Sequence, residues 1–500
     1  MSLGSSDPKA GRAVRALWIA SLLVLAGCAT RPVNPPLAHV DQSKPYSLER
    51  KGESARQRDG LVILAFSGGG TRAAAFSYGV LETLRRTEVV TKTGERGRLL
   101  DQVDVISGVS GGSFTALAYR LYGEKLFDVY EKSFLKRDVQ GELIGRVLNP
   151  MNWGALSSTG WGRSELAADL YDEILFNGVT FADLARHDGP FTAVTATDIA
   201  TGSRVLFTPQ NFDIMCADLG PIRIARAAAA SSAVPVVLSP LTINVYGGSC
   251  GYRLPPWTEL FLDKPNPPRP AARVLKRLRE LQDLARPQEP YLHLVDGGVS
   301  DNLGLRGVLD VLQLFEALHD AGQRTPLDHV KRIVVVVVNS LSVASTDWDQ
   351  HEDPPGTIPI LIKAAGVPID RYSGEQVEEL RDIEAHWTML REVRDSIAFD
   401  KDKDPALRFI RNVPNAELYV IDVSFAALKD DAERAYLNQL PTSFVLPDEA
   451  VDRLRAAADK IVLDSPDFQR LLKDVGARIV ERPAGTQPTP TAKPKPSASD

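Results

Sequence analysis

The chain has 500 residues, more than a typical single domain, and its length suits one large α/β domain carrying appendages. Its 44% hydrophobic and 24% charged content is that of a protein able to bury a core. A formal net charge of −6 argues against nucleic-acid binding, which leaves a concentrated basic footprint, and against a purely electrostatic grip on anionic membrane.

At the N-terminus, Lys9, Arg12 and Arg15 precede an apolar run from Ala16 to Ala26, which ends in Leu25-Ala26-Gly27-Cys28. A basic stretch followed by an apolar run shorter than the ~20 residues that span a bilayer reads as an export signal over 1–27. Leu-Ala-Gly-Cys resembles the lipobox of bacterial lipoproteins. That resemblance implies an acylated Cys28 as the mature first residue and a lipid anchor in the cell envelope. Ala29, standing where Asp would favour the inner membrane, points to the outer membrane facing the periplasm. The alternative is an ordinary cleaved signal with a chance cysteine.

Residues 28–58, rich in Pro, Ser, Lys and Arg, read as a flexible tether. Cys216 and Cys250 are the remaining thiols. They are open either to pairing in an oxidising periplasm or to serving as small buried hydrophobes. Scattered cysteines without paired histidine spacing give no metal site.

From residue 59 to 480, short apolar runs alternate with helical patterns. Strands are expected at 61–66, 103–106, 192–196, 291–295, 333–338 and 418–423, and helices at 71–86, 111–122, 303–319 and 376–394. The unbroken apolar run Val334 to Val338 suits a strand covered on both faces. The alternation predicts a three-layer α/β/α sandwich with a mainly parallel central sheet, and functional residues where strands end and helices begin. Two Pro- and Gly-punctuated stretches, near 247–290 and 341–372, read as insertions. In the first, Trp257, Phe261 and a basic helix through Arg273, Lys276, Arg277 and Arg279 form either plain surface or a lid or membrane-facing element. Residues 483–500 have the Pro/Thr-rich composition of a disordered tail.

Three motifs carry chemistry. Gly108-Val109-Ser110-Gly111-Gly112 follows a strand and opens a helix, the setting in which a tight turn projects a serine hydroxyl. Ser67-Gly68-Gly69-Gly70-Thr71-Arg72 sits between the first strand and helix, where successive N–H groups can face a developing oxyanion. The glycines also fit a dinucleotide fingerprint, but no acidic residue ends a second strand some 20 residues on; the Lys-Ser/Thr of a P-loop is missing too. Asp296-Gly297-Gly298 follows the strand at 291–295, placing Asp296 as an acceptor for the Ser110 proton or as a turn former. Asp301 and Asn302 read as helix caps. Of the seven histidines none has a loop signature, which favours a Ser–Asp dyad while leaving His319 and His386 open.

Taken together, these blocks resemble the patatin-like phospholipases. Thr197-Asp198-Ile199-Ala200-Thr201-Gly202 and Ala229-Ala230-Ser231-Ser232-Ala233-Val234-Pro235 add to the likeness, which covers roughly 60–305. Ser67 departs from the pattern, since many members carry Asp there. The resemblance implies Ser110 as nucleophile and Asp296 as base, with Gly68, Gly69 and Gly70 lining the oxyanion hole. It further implies that Arg72 steadies that loop or touches a phosphate, and that no metal or cofactor takes part. The substrate it implies is a membrane phospholipid or related acyl ester. A non-lipid esterase or acyltransferase, and a non-catalytic binding lipoprotein, are the alternatives.

Overall fold

The structure, a computed structural model, describes residues 30–41, 59–90, 94, 96–158, 160–262, 269–323, 325, 329–342, 348–396, 410 and 413–480. Cys28, the export signal and the 483–500 tail lie outside the described residues. In chain order the strands are β1 (Gly60–Phe66), β2 (Thr87–Val90), β3 (Arg96–Arg98), β4 (Val103–Val109), β5 (Phe191–Asp198), β6 (Arg204–Leu206), β7 (Leu241–Asn244), β8 (Tyr291–Asp296), β9 (Arg332–Asn339), β10 (Glu417–Ser424) and β11 (Arg478–Ile479). The first six of the longer helices are α1 (Gly70–Arg86), α2 (Gly111–Tyr122), α3 (Val139–Leu148), α4 (Pro150–Leu156), α5 (Arg163–Tyr171) and α6 (Ile224–Ser231). Then follow α7 (Arg269–Leu284), α8 (Arg306–Asp320), α9 (Thr357–Asp395), α10 (Asp431–Asn438), α11 (Asp448–Asp464) and α12 (Pro466–Asp474).

The central sheet runs β10-β9-β1-β4-β5-β8-β7, with β6 also on β5; β11-β2-β3 form a small separate sheet. The run from β10 to β5 is parallel. β8 and β6 lie antiparallel to β5, and β7 antiparallel to β8. Side-chain alternation splits the valine run of β9 as its composition predicts. Val334, Val336 and Val338 enter one core with residues of α1, α2, α6 and α11, while Ile333, Val335 and Val337 enter another beneath α8 and α9. Fully burying each valine contributes about 1.5–3 kcal/mol, so a charge at Val336 or Val337 would be stranded on either face.

Three sequence expectations change. Residues 30–41 are laid onto the domain rather than hanging as tether. Leu37 N–H donates to the Cys216 carbonyl (2.8 Å), Val40 N–H to that of Cys250 (3.2 Å), and Asp218 N–H to that of Pro35 (2.9 Å). Val40 is buried in one cluster with Cys216 and Cys250, which are joined as a disulfide. In the 247–290 insertion, Phe261 is buried with Ala271 and Leu275 of α7 against Ala317 and Leu318 of α8, and Trp257 packs on that cluster. The apolar face of α7 thus points inward, so the two aromatics make no membrane-facing element. Arg277 faces inward as well, donating to the Arg204 carbonyl (2.6 Å), and burial lowers its pKa to about 10. In the second insertion, α9 already begins at Thr357, because Pro and Gly punctuation is a weak prior that tertiary packing overrides.

Candidate active site

Ser110 joins the end of β4 to the head of α2 with φ 49° and ψ −121°, a conformation rare for a side-chain-bearing residue. Such strain costs about 1–3 kcal/mol and persists only where neighbours over-determine it. Here Ser110 N–H donates to Ser231 Oγ (2.8 Å), and Ser113 Oγ donates to the Ser110 carbonyl (2.6 Å). The Gly112 N–H donates to the Ser67 carbonyl (3.2 Å), stitching this elbow to the glycine loop. A Cβ on Gly111 would lie 2.0 Å from the Gly70 carbonyl oxygen, so the two backbones touch only because Gly111 lacks a side chain. Gly108 is also tightly packed, with the Ser113 Cα 2.7 Å from its would-be Cβ.

The glycine loop turns through φ 138° at Gly69 and 60° at Gly70. At Gly70 a side chain would meet both that left-handed conformation and the Ser443 carbonyl, 2.3 Å from its Cβ. The loop is not a uniform row of donors. Gly68 N–H is taken by the Asn302 carbonyl (2.9 Å), which removes it from the expected oxyanion set. The amides of Gly69, Gly70 and Gly111 have no protein acceptor among the described residues. Gly69 and Gly70 stand at the N-terminus of α1 and Gly111 at that of α2, where the helix dipoles add positive potential.

Arg72 is buried, its guanidinium directed at protein acceptors. It donates to the carbonyls of Ser340 (2.8 Å) and Leu440 (2.6 Å) and to Thr442 Oγ1 (3.1 Å), while Thr71 N–H donates to the Ser443 carbonyl (2.8 Å). Of the two roles expected for it, steadying the loop is the one its contacts fit.

Asp296 ends β8, buried beside Ser110, whose Oγ donates to Asp296 Oδ2 at 2.8 Å. Gly298 N–H donates to Oδ1 (2.8 Å). Burial pushes the Asp296 pKa up to about 6, opposed by the Gly298 and Ser110 hydrogen bonds. Its backbone is fixed by the α6 terminus: Asp296 N–H donates to the Ala233 carbonyl (2.9 Å) and Gly297 N–H to that of Ser231 (3.0 Å). Ser231 Oγ also donates to the Thr195 carbonyl (2.7 Å), so one serine braces both halves of the pair.

Neither histidine left open by the sequence joins this pair. His319 Nε2 shares a hydrogen bond with Thr325 Oγ1 (2.8 Å), and His386 stands exposed on α9. Asp301 is not a simple cap but forms a buried ion pair with Arg204 (3.2 Å). The Asp198 carboxylate accepts from Thr201 N–H (3.0 Å), making 198–201 a turn. Among the described residues no cluster of three His, Cys, Asp or Glu side chains could hold a metal. Sequence reasoning missed the roles of Ser231, Asn302 and Ser340; Ser231 stood out only within its Ala-Ser-Ser stretch, Asn302 only as a helix cap, and Ser340 not at all.

The fold is a three-layer α/β/α domain on a mixed, mostly parallel sheet. Residues 64–309 match the family model described as Patatin-like phospholipase, so the chain carries a patatin-like phospholipase domain running from β1 into α8. Among solved structures, human GIVD cytosolic phospholipase A2 aligns with 90% of this chain and 68% of its own, at 14% identity and a TM-score of 0.41. VipD from Legionella pneumophila aligns with 87% of this chain and 72% of its own, at 12% identity and a TM-score of 0.23. No curated protein matches the chain.

Proposed function

We propose that this chain is a lipid acyl hydrolase of phospholipase A or lysophospholipase type, working through a Ser110–Asp296 dyad and an acyl-enzyme. The observation that carries this reading is the 2.8 Å hydrogen bond from Ser110 Oγ to Asp296 Oδ2 beside the unoccupied amides of Gly69, Gly70 and Gly111. Ser110 Oγ attacks the acyl carbonyl as its proton passes to Asp296, and the oxyanion forms against those amides. Asp296 then returns the proton to the departing alkoxide, leaving the acyl group on Ser110. A water attacks that ester, giving its proton to Asp296, and Ser110 leaves reprotonated with the fatty acid released.

The export-signal pattern and Leu25-Ala26-Gly27-Cys28 support a lipid anchor on Cys28 at the outer membrane, which brings the site to its substrate. A fluorophosphonate probe, which bonds only an activated serine, is expected to label Ser110 in the folded protein and not the Ser110→Ala variant. Absence of labelling would favour a binding lipoprotein instead. Turnover of p-nitrophenyl esters without turnover of phospholipid would favour the non-lipid esterase.

A further inference from the structure

Large apolar side chains stand bare on the hairpin of α3 and α4: Ile144 is 52% exposed, Leu148 66%, Met151 86% and Trp153 57%. Val236 (67%) and Val237 (61%) add to them. Solvent-facing helices ordinarily turn charge outward, and a cluster of bare apolar groups marks an interaction surface.

The polar groups of the hairpin are already paired. Asn152 Nδ2 donates to the Arg146 carbonyl (2.8 Å) and Trp153 Nε1 to that of Val147 (3.2 Å), satisfying carbonyls that a helix C-terminus leaves orphaned. Asp138 caps α3 and Asn149 caps α4. Arg146 pairs with Glu173, and Arg137 with Glu142. A hairpin with satisfied backbone and bare apolar side chains loses little hydrogen bonding on entering a lipid interface.

Its position links it to the site. At the head of α3, Gln140 N–H donates to the Phe444 carbonyl (3.3 Å), next to the Ser443 that holds the glycine loop. Beyond α4, Arg163 donates to the Val236 carbonyl (3.1 Å) and Ser164 N–H to Ser239 Oγ (3.1 Å), a few residues past the Ser231–Ala233 brace of Asp296. The N-terminal arm arrives at the same place. The Arg31 side chain lies 3.3 Å from where a Cβ on Gly160 would stand, between α4 and α5. Cys28 is three residues earlier, within about 10 Å of extended chain.

We propose that the α3–α4 hairpin, with Val236 and Val237, is an interfacial docking surface. It seats the site on a phospholipid layer, on the side where the anchor at Cys28 enters that layer. This rests on the lipid-hydrolase reading above. With a net charge of −6 and its ions paired locally, the surface binds by apolar insertion rather than by charge.

The test uses the mature chain, residues 28–500 made without the 1–27 export signal and carrying Cys28→Ala, so that neither the apolar signal nor acylation masks the hairpin, and phosphatidylcholine vesicles. Vesicle partitioning of this parent is expected to hold between low and high salt. Leu148→Asp with Met151→Asp is expected to lower it by about tenfold or more, and to lower equally the ratio of vesicle-phospholipid to soluble-ester turnover. Val90→Asp, at an exposed valine beyond the far end of α1, a helix about 24 Å long, is expected to change neither. Tryptophan emission of the parent should be quenched by brominated lipid, and Trp153→Phe should reduce that quenching. Partitioning unaffected by the hairpin substitutions, or lowered equally by Val90→Asp, overturns the proposal, as does quenching that Trp153→Phe leaves intact. Failure of the parent to turn over any ester speaks against the hydrolase reading instead, while partitioning still decides this one.

Discussion

A carboxylate at its ordinary pKa near 3.9 is a weak base for a serine hydroxyl, so the environment of Asp296 decides how well it can act. Burial raises its pKa to about 6, with the Gly298 amide and Ser110 hydroxyl acting in the opposite direction. The sign follows directly. Below pH 6 the carboxyl is protonated and cannot accept the serine proton; above it the carboxylate is free to do so. For soluble-ester hydrolysis, kcat/KM is therefore expected to fall about tenfold per pH unit below 6 and to level off above about pH 7. An acid limb centred near pH 4 would mean that water reaches Asp296 and that burial does not set its basicity. Asp296→Asn can keep an acceptor for Gly298 but cannot take the proton, and should lower kcat by roughly 10²–10⁴ while Ser110 stays in place. Both residues were legible in the sequence because glycines must flank them where the backbone turns sharply or is closely approached. Ser231 was not legible in this role: its hydroxyl meets the Ser110 amide across 121 residues, and no local pattern encodes such a pairing.

At the scale of elements, the glycine loop is shaped from outside itself. Arg72 fastens the head of α1 to the carbonyls of Ser340 and Leu440 and to Thr442, all three beyond the family match at 64–309. Removing the guanidinium strands buried carbonyls at a cost of about 1–3 kcal/mol each. It also leaves the amides of Gly69 and Gly70 less firmly aimed. Arg72→Ala is thus expected to lower the melting temperature and to reduce kcat on soluble esters and phospholipids alike, by roughly tenfold or more. Arg72→Lys should restore little, since an ammonium cannot reproduce the planar fork that reaches three acceptors. A loss confined to KM for phospholipid would instead indicate a phosphate contact. The sequence signalled the loop through its three consecutive glycines, but the struts that hold it lie far along the chain. The insertion helix α7 gives the converse lesson. Its basic residues suggested a membrane-facing element, yet its apolar positions repeat at helical spacing and turn the buried face, with Arg277, toward α8 and β6.

For the whole molecule, the parallel half of the sheet could be read from its apolar runs, because strands covered on both faces have little room for polar residues. The antiparallel edge could not. β8 was recognisable as a strand, but a period of two carries no direction, and the short β6 and β7 are too brief to stand out. Nor was the course of the N-terminal arm visible, since its proline-rich composition resembles any tether. What fixes the arm is the Cys216–Cys250 bridge. Leu37 N–H and Val40 N–H bond to the carbonyls of the two bridged residues, and the bridge closes a loop with a sequence separation of 34. Chain-entropy reasoning assigns such a loop about 3–4 kcal/mol of stabilisation. Replacing both cysteines by serine should therefore lower the melting temperature by several degrees and speed hydrogen exchange at the Leu37 and Val40 amides. None of the hydrogen bonds described around Ser110 and Asp296 runs through 213–217 or 246–252, so soluble-ester turnover should hold within about twofold. Turnover on vesicles by the acylated chain should fall further, because the anchor would no longer be held beside the docking hairpin. Unchanged exchange at Leu37 and Val40 would show that Asn34, Tyr246 and Asn244 hold the arm without the bridge.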